Sequence, residues 1–320
     1  MIHYFDPKKQ IPMEETIRLV KDRSFVDACE AEFEQRVETV AKEVVENGCS
    51  LVLLAGPSAS GKTTSARKVA LALKALGHPA QVLSLDNFFK DMVNYPIGED
   101  GLPDFEHIDT LDIEEINHCL KDLTEKGEAG IPMFDFRTKT SHKDAMRLRI
   151  KPGEVVVVEG IHALNPVCSS AVNEKHMYKM YVGLRSEYYD GDKRVIATRD
   201  LRITRRIVRD ARDRGHGPEE TLSMWRKIMD GEERWIKPFK KDARVLLNTA
   251  MDYEPALFAS TLRKLDEEQA GGAYQEDLHR LAEAFAPMGE IPFEWIPEKS
   301  LLREFIGGLV LEQEDMVEIG

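Results

Sequence analysis

The segment Gly56-Pro57-Ser58-Ala59-Ser60-Gly61-Lys62-Thr63-Thr64 constrains the fold more than any other stretch of the chain. It fits the pattern G-x-x-x-x-G-K-[ST]. An apolar run, 51–55, precedes it, and a helix-forming run, 62–76, follows and stops at Gly77. Gly56 and Gly61 let the backbone between strand and helix curl so that its N–H groups point inward. The start of the helix adds the positive end of its dipole, and together these hold phosphate oxygens. On this reading the loop from Gly56 to Thr64 encloses a polyphosphate. Lys62 reaches the β- and γ-phosphates as a point charge, and Thr63 offers its hydroxyl to Mg²⁺. ATP and Mg²⁺ are the expected cofactors.

The rest of the chain supplies the setting such a loop needs. Five short runs, 51–55, 81–85, 154–158, 177–184 and 244–248, are rich in Val and Leu and lack strict alternation. That pattern belongs to parallel strands covered on both faces. Helical stretches such as 62–76 and 111–126 lie between them, which predicts a three-layer α/β/α domain over about 49–250 with a mainly parallel five-stranded sheet. A helical segment, 1–48, precedes it. Within 12–47, Phe33, Val37, Val40, Val44 and Val45 recur at helical spacing, and Asn47-Gly48 ends the helix. A C-terminal extension, 251–320, follows, read as helix over 254–286 and a proline-containing tail beyond. These outer helices are expected to add a layer or an oligomer interface. Two stretches, 87–109 and 131–153, read as irregular, and loops of that length inside a domain are commonly functional.

Composition narrows the function classes. A net charge of −13 argues against a general nucleic-acid binder. No apolar run approaches the ~18–20 residues that span a membrane, and the opening MIHYFDPKKQ lacks a signal-peptide core. The four cysteines are far apart with no C-x-x-C pair, unlike a zinc or disulfide framework. A cytoplasmic location is expected.

Three further features face the loop. Asp86 ends the second strand run, where ligands of open α/β sheets sit. It suits either a base that accepts a proton from an attacking hydroxyl or a helix N-cap. Glu159 follows four consecutive valines and suits either the Mg²⁺ shell or a solvated sheet edge. The stretch 194–217 carries Arg202, Arg205, Arg206 and Arg209 on adjoining helical turns, then Arg212, Arg214 and His216. Arginine forks suit phosphate, so the stretch reads as a lid. The interleaved Asp200, Asp210 and Asp213 equally suit a salt-bridged surface helix.

Taken together, GPSASGKTT, LSLDNFF, PDFEHIDTLD, VVVVEGIHALNP and RITRRIVRDARDRG resemble, in this order, the uridine kinase and phosphoribulokinase family. The likeness is strongest to bacterial uridine kinase-like proteins and covers about 35–308. The resemblance implies ATP-dependent phosphorylation of the 5′-hydroxyl of a pyrimidine nucleoside, uridine or cytidine. The basic stretch 137–149, with Arg137, Lys139, Lys143, Arg147 and Arg149, would fit the same chemistry on an anionic acceptor such as a sugar phosphate. A nucleotide-binding regulatory protein without catalysis is the reading from outside the enzymes. The resemblance implies Asp86 as general base close to the metal, and Lys62 and Arg209 as catalytic cations. It implies Thr63, Asp86 and Glu159 at Mg²⁺, and Arg206 at the ATP phosphates. For the acceptor it implies Asp109 at the ribose hydroxyls, with Phe134, Phe136, Lys139, Arg209, Arg214 and His216 around it. The chain departs from the family where Phe134 and Lys139 stand for the tyrosine and histidine that read the pyrimidine edge. His216 likewise stands for an arginine.

Overall fold

A computed structural model describes residues 8–213, 215–269 and 271–311. The order of elements is β1 (Lys9–Pro12), α1 (Met13–Leu19), α2 (Arg23–Glu46), β2 (Leu51–Ala55), α3 (Lys62–Ala75), β3 (Ala80–Ser84), α4 (Ile113–Lys126), β4 (Glu128–Asp135) and β5 (Thr140–Arg149). Then come β6 (Val155–Glu159), β7 (Met177–Gly183), β8 (Ser186–Asp190), β9 (Lys193–Ile196), α5 (Thr198–Asp213), α6 (Pro218–Trp235), β10 (Val245–Asn248), α7 (Glu254–Glu268), α8 (Gln275–Phe285) and α9 (Arg303–Ile306).

The five apolar runs form one sheet, in the order β10-β7-β2-β6-β3. Every pairing in it is parallel. Both faces are covered, which is why the runs do not alternate. Val52, Leu54, Val155 and Val157 pack against α2, α3, α5, α7 and α8. Leu51, Leu53, Val156 and Val158 face α4 and the β4–β5 pair. The side chains of Leu51–Leu54 are each at most 1% exposed. Burying each contributes about 1.5–3 kcal/mol. The four cysteines divide evenly between the layers, Cys29 and Cys49 on the first face and Cys119 and Cys168 on the second. Burial raises all four thiols, Cys29, Cys119 and Cys168 to about 12.

Local signals set the helix ends. Asp112 caps α4 by accepting the Glu115 N–H at 3.1 Å, and Gly127 closes it with φ 75°. Asp22 caps α2 through the Ser24 N–H at 2.9 Å.

The structure corrects the expectation in four places. The stretch 12–47 is not one helix: β1 pairs in parallel with β8, and α1 and α2 are separate. Residues 128–149 form an antiparallel hairpin rather than irregular loop, with a register shift between Ile131 and Met133. Pro132 sits in that shift, where its missing N–H is tolerated. The segment 254–286 splits into α7 and α8, which bury Leu262, Leu278, Leu281 and Phe285, while Phe33 of α2 is buried as its helical spacing implied. The tail is core rather than trailing chain, since Leu301, Leu302 and Phe305 are completely buried. Among the described residues no helix is long and apolar enough to cross a membrane.

Candidate active site

The loop leaves β2 at Ala55 and enters α3 at Lys62, with Gly61 in the left-handed region at φ 83°. A Cβ on Gly56 would lie 2.2 Å from the Val182 carbonyl oxygen of β7, so only glycine lets the chain exit there. The loop is pinned from two sides. The Thr249 hydroxyl, just past β10, donates to the Ser60 carbonyl at 2.7 Å. Arg206 donates from Nη1 to the Ser58 hydroxyl at 2.6 Å. Lys62 folds back over the loop, its Nζ donating to the Pro57 carbonyl at 3.1 Å. The residues expected to hold ATP are therefore gathered at the first turn of α3, and a helix N-terminus is where an anion is received.

β6 and β3 succeed β2 on one flank, and their ends bring the acids. Glu159 is no solvated edge: β6 is interior and the side chain is 5% exposed. It accepts the Thr63 hydroxyl at 3.4 Å. Burial first, and the nearby Asp86 charge second, push its carboxyl up to about 7, while Lys62 and the Ser84 hydroxyl pull it down. Nor is Asp86 the cap of its turn. Ser84 is, accepting the Asp86 N–H at 3.3 Å. The exposed Asp86 carboxylate is close enough to raise both Glu159 and Tyr95. Among the described residues no group of three or more His, Cys, Asp or Glu could by itself hold a metal. Thr63, Glu159 and Asp86 instead fit Mg²⁺, which takes one or two carboxylates beside nucleotide phosphates and water.

An acid absent from the sequence expectations also lies within reach of the Lys62 and Arg206 charges. Glu106, in the stretch between β3 and α4, has its Oε2 shut off from solvent without a hydrogen-bond partner. Burial and Glu232 raise it to about 7, against Arg206 and Lys62. Gly231 of α6 makes the room, since a Cβ there would sit 2.4 Å from that of Glu106. Asp109, by contrast, keeps its side chain 66% exposed, 3.7 Å from His107 Nδ1. A raised acid favours folding below pH 4.5 and loses that contribution as pH rises through about 7. Glu106→Gln is therefore expected to stabilise the ligand-free protein by about 2–3 kcal/mol at pH 8.5 and hardly at all near pH 4.5. Urea unfolding at the two pH values measures it.

Beyond Asp86 lies a chain of rings. Phe89 meets Phe134 at 5.5 Å and Phe136 at 6.3 Å between centroids, and Phe134 meets Phe136 at 5.0 Å. Tyr95 joins Phe89 at 6.1 Å and Phe105 at 5.8 Å. Phe134 is buried and Phe136 is 61% exposed. Lys139 stands exposed in the hairpin turn at φ 59°. Three cations of the basic stretch are already paired: Lys143 with Asp112 and Glu115, and Arg147 and Arg149 with Glu128.

The arginines of α5 divide by partner. Arg205 is fully buried, holding Glu254 at 2.5 and 2.8 Å and the Thr249 carbonyl at 2.7 Å. Arg202 holds Glu232 at 2.6 and 2.7 Å. Arg206 and Arg209 share the buried Asp210, at 3.2 and 2.8 Å. His216 lies 3.4 Å from Glu220 and donates its backbone N–H to the Asp210 carbonyl. Arg214 lies outside the described residues.

The profile of the Phosphoribulokinase / Uridine kinase family matches residues 51–254, the span that builds this sheet and loop. The chain belongs to that family. It is a P-loop phosphotransferase with an alcohol acceptor. Curated relatives include a uridine kinase of Staphylococcus epidermidis, 29% identical over 202 residues, covering 63% of this chain and 88% of the relative. Another is a uridine kinase of Staphylococcus haemolyticus, 28% identical over 199 residues, covering 62% and 86%. Among solved structures, a putative fructose transport system kinase from Silicibacter sp. TM1040 shares the fold. It has TM-score 0.50 and 22% identity, with 66% of this chain and 98% of that one covered.

For this kinase-family chain, use of ATP and Mg²⁺ is what the family implies, and the loop and acids described above fit both. Glu106 and Tyr95 have no role in the sequence reading, and Asp210, read there as a salt-bridge partner on a surface helix, does pair with Arg206 and Arg209 but is buried. Gly231, an isolated glycine inside a helical run, was the one local signal of a close approach there.

Proposed function

We propose that this kinase transfers the γ-phosphoryl group of ATP to the 5′-hydroxyl of a nucleoside, uridine or cytidine foremost. The observation that carries the reading is the ring chain Phe134–Phe89–Tyr95 beside Asp86, on the flank of the phosphate loop that carries both strand-end acids. Aromatic faces hold a flat base through stacking and burial. Asp86 accepts the proton of the attacking hydroxyl. Lys62, Arg206 and Arg209 stabilise the charge of the transferred group. Thr63, Glu159 and Asp86 would hold Mg²⁺, which neutralises charge on the phosphates when bound. Glu106, buried within reach of the Lys62 and Arg206 charges, is better placed than the exposed Asp109 to hold the ribose hydroxyls. The pairing of Lys143, Arg147 and Arg149 with carboxylates counts against a sugar phosphate as acceptor.

With phenylalanine at 134 and an exposed lysine at 139, few groups remain to bond the base edge. Edge bonds are what give a site strong discrimination, so uridine and cytidine are expected to differ by less than about tenfold in kcat/KM. The test is ADP release from Mg-ATP with a panel of nucleosides and sugar phosphates. Release that depends on uridine and cytidine supports the proposal. Release with a sugar phosphate alone moves the acceptor, and no release with any acceptor despite ATP binding favours a regulatory protein.

A further inference from the structure

The C-terminal turn sits on the phosphate loop. Leu301 packs against Gly61, where an added Cβ would come within 2.9 Å of its methyl groups. One turn on, Glu304 sends its carboxylate to the start of α3. Its Oε2 accepts the Thr64 backbone N–H at 3.3 Å and the Thr64 hydroxyl at 2.6 Å. Thr64 is 1% exposed, so this contact is enclosed. The charge of Glu304 also reaches Glu159 and adds to the rise of its carboxyl. Arg212, on the last turn of α5, donates to the Glu304 carbonyl at 3.1 Å and so ties the turn to the arginine helix.

The Thr64 amide belongs to the first turn of α3, whose N–H groups are the donors a nucleotide phosphate takes from such a loop. A carboxylate and a phosphate cannot both accept from one amide and one hydroxyl, and as like charges they repel. We propose that Glu304 is a built-in substitute for a nucleotide phosphate. The carboxylate occupies Thr64 in the resting protein and must swing away before ATP can seat, which makes the C-terminal turn an autoinhibitory latch. The inference rests on reading 56–64 as the ATP loop.

Three features separate a latch from a plain helix cap. The carboxylate comes from 240 residues away rather than from the loop's own neighbourhood. It meets the loop at the donors the ligand uses. The turn that carries it is also anchored independently of it. Leu302 and Phe305 are completely buried, Phe305 lies 4.9 Å beneath the Arg205 guanidinium, and Arg303 donates to the Ile296 carbonyl at 2.5 Å. Glu304 itself is only half-buried. Rotation of that one side chain opens the site while the turn stays docked. A ligand that binds only the open form has its affinity reduced by the open fraction.

The test is calorimetric titration of the full chain with ATP, without acceptor, for wild type, Glu304→Gln, Glu304→Ala and Lys62→Ala. Glutamine keeps the shape and removes the charge, and the anchors Leu301, Leu302 and Phe305 are untouched, so both Glu304 variants are expected to fold. Melting curves check this. A charge-assisted contact of this kind corresponds to roughly tenfold or more in affinity. ATP is expected to bind about tenfold more tightly to Glu304→Gln and at least as tightly to Glu304→Ala. Lys62→Ala should bind far more weakly. Unchanged affinity in both Glu304 variants overturns the latch, and weaker binding in both makes Glu304 a helper of the nucleotide. In either case loss of binding in Lys62→Ala leaves the loop reading intact. If wild type and Lys62→Ala alike fail to bind ATP, the loop reading falls and the latch with it.

Discussion

Asp86→Asn is expected to lower acceptor-dependent ADP formation by about 10²–10⁴-fold, the span that general-base catalysis contributes, while the affinity for ATP stays within a few-fold. The split follows from position. The Asp86 carboxylate is exposed at the end of β3, beside Tyr95 and Glu159, and its turn is capped by Ser84 instead. Asparagine keeps the shape and loses only the proton acceptor and one charge. Removing that charge lets the buried Glu159 carboxyl fall back from about 7, so Glu159 ionises more readily and, with Thr63, still offers the metal a carboxylate after Asp86 is lost. Single-turnover measurement and equilibrium binding on the same preparation separate the two effects. A variant that turns over at the wild-type rate would remove Asp86 from the chemistry.

Glu254→Ala is expected to destabilise the fold by about 3–5 kcal/mol, because it leaves the Arg205 guanidinium charged, buried and without its carboxylate. Both side chains are 0% exposed and bonded at 2.5 and 2.8 Å. Burial raises the Glu254 carboxyl and Arg205 lowers it, the signature of a pair that is viable only together. Replacing both by leucine removes the stranded charge, so the double variant should recover most of the loss in urea unfolding. ATP affinity should fall in the single variant as well. Arg205 holds the Thr249 carbonyl, and Thr249 holds the Ser60 carbonyl of the loop. If the single variant unfolds like wild type, the pair is not holding the α5–α7 junction.

Two neighbouring arginines of α5 mark where the sequence stops being readable. Arg205 and Arg206 are adjacent and identical in type, yet one is sealed against Glu254 and the other reaches Ser58 in the phosphate loop. The partners that distinguish them, Glu254 and Ser58, lie far away in the chain, so no local pattern tells them apart. The sheet and the loop are legible for the opposite reason. Burial on both faces writes itself as runs of Val and Leu, and a strand, a nest and a helix start are consecutive in the chain. The β4–β5 hairpin is hidden because Gly130 and Pro132 interrupt one strand and charged residues fill the solvent face of the other. Glu106 is hidden because its surroundings, Gly231 and Glu232, arrive from α6.

The even division of the cysteines has a practical consequence. Thiolate, not thiol, is the reactive form, and all four groups are buried and raised, so the native protein should resist alkylating reagents at neutral pH. Each becomes modifiable only when its own layer opens. Cys29 and Cys49 time the opening of the α2–α3 side, and Cys119 and Cys168 time that of the α4 side. Pulse alkylation read by mass would thus give two clocks, one for each side of the sheet, in the unmodified chain.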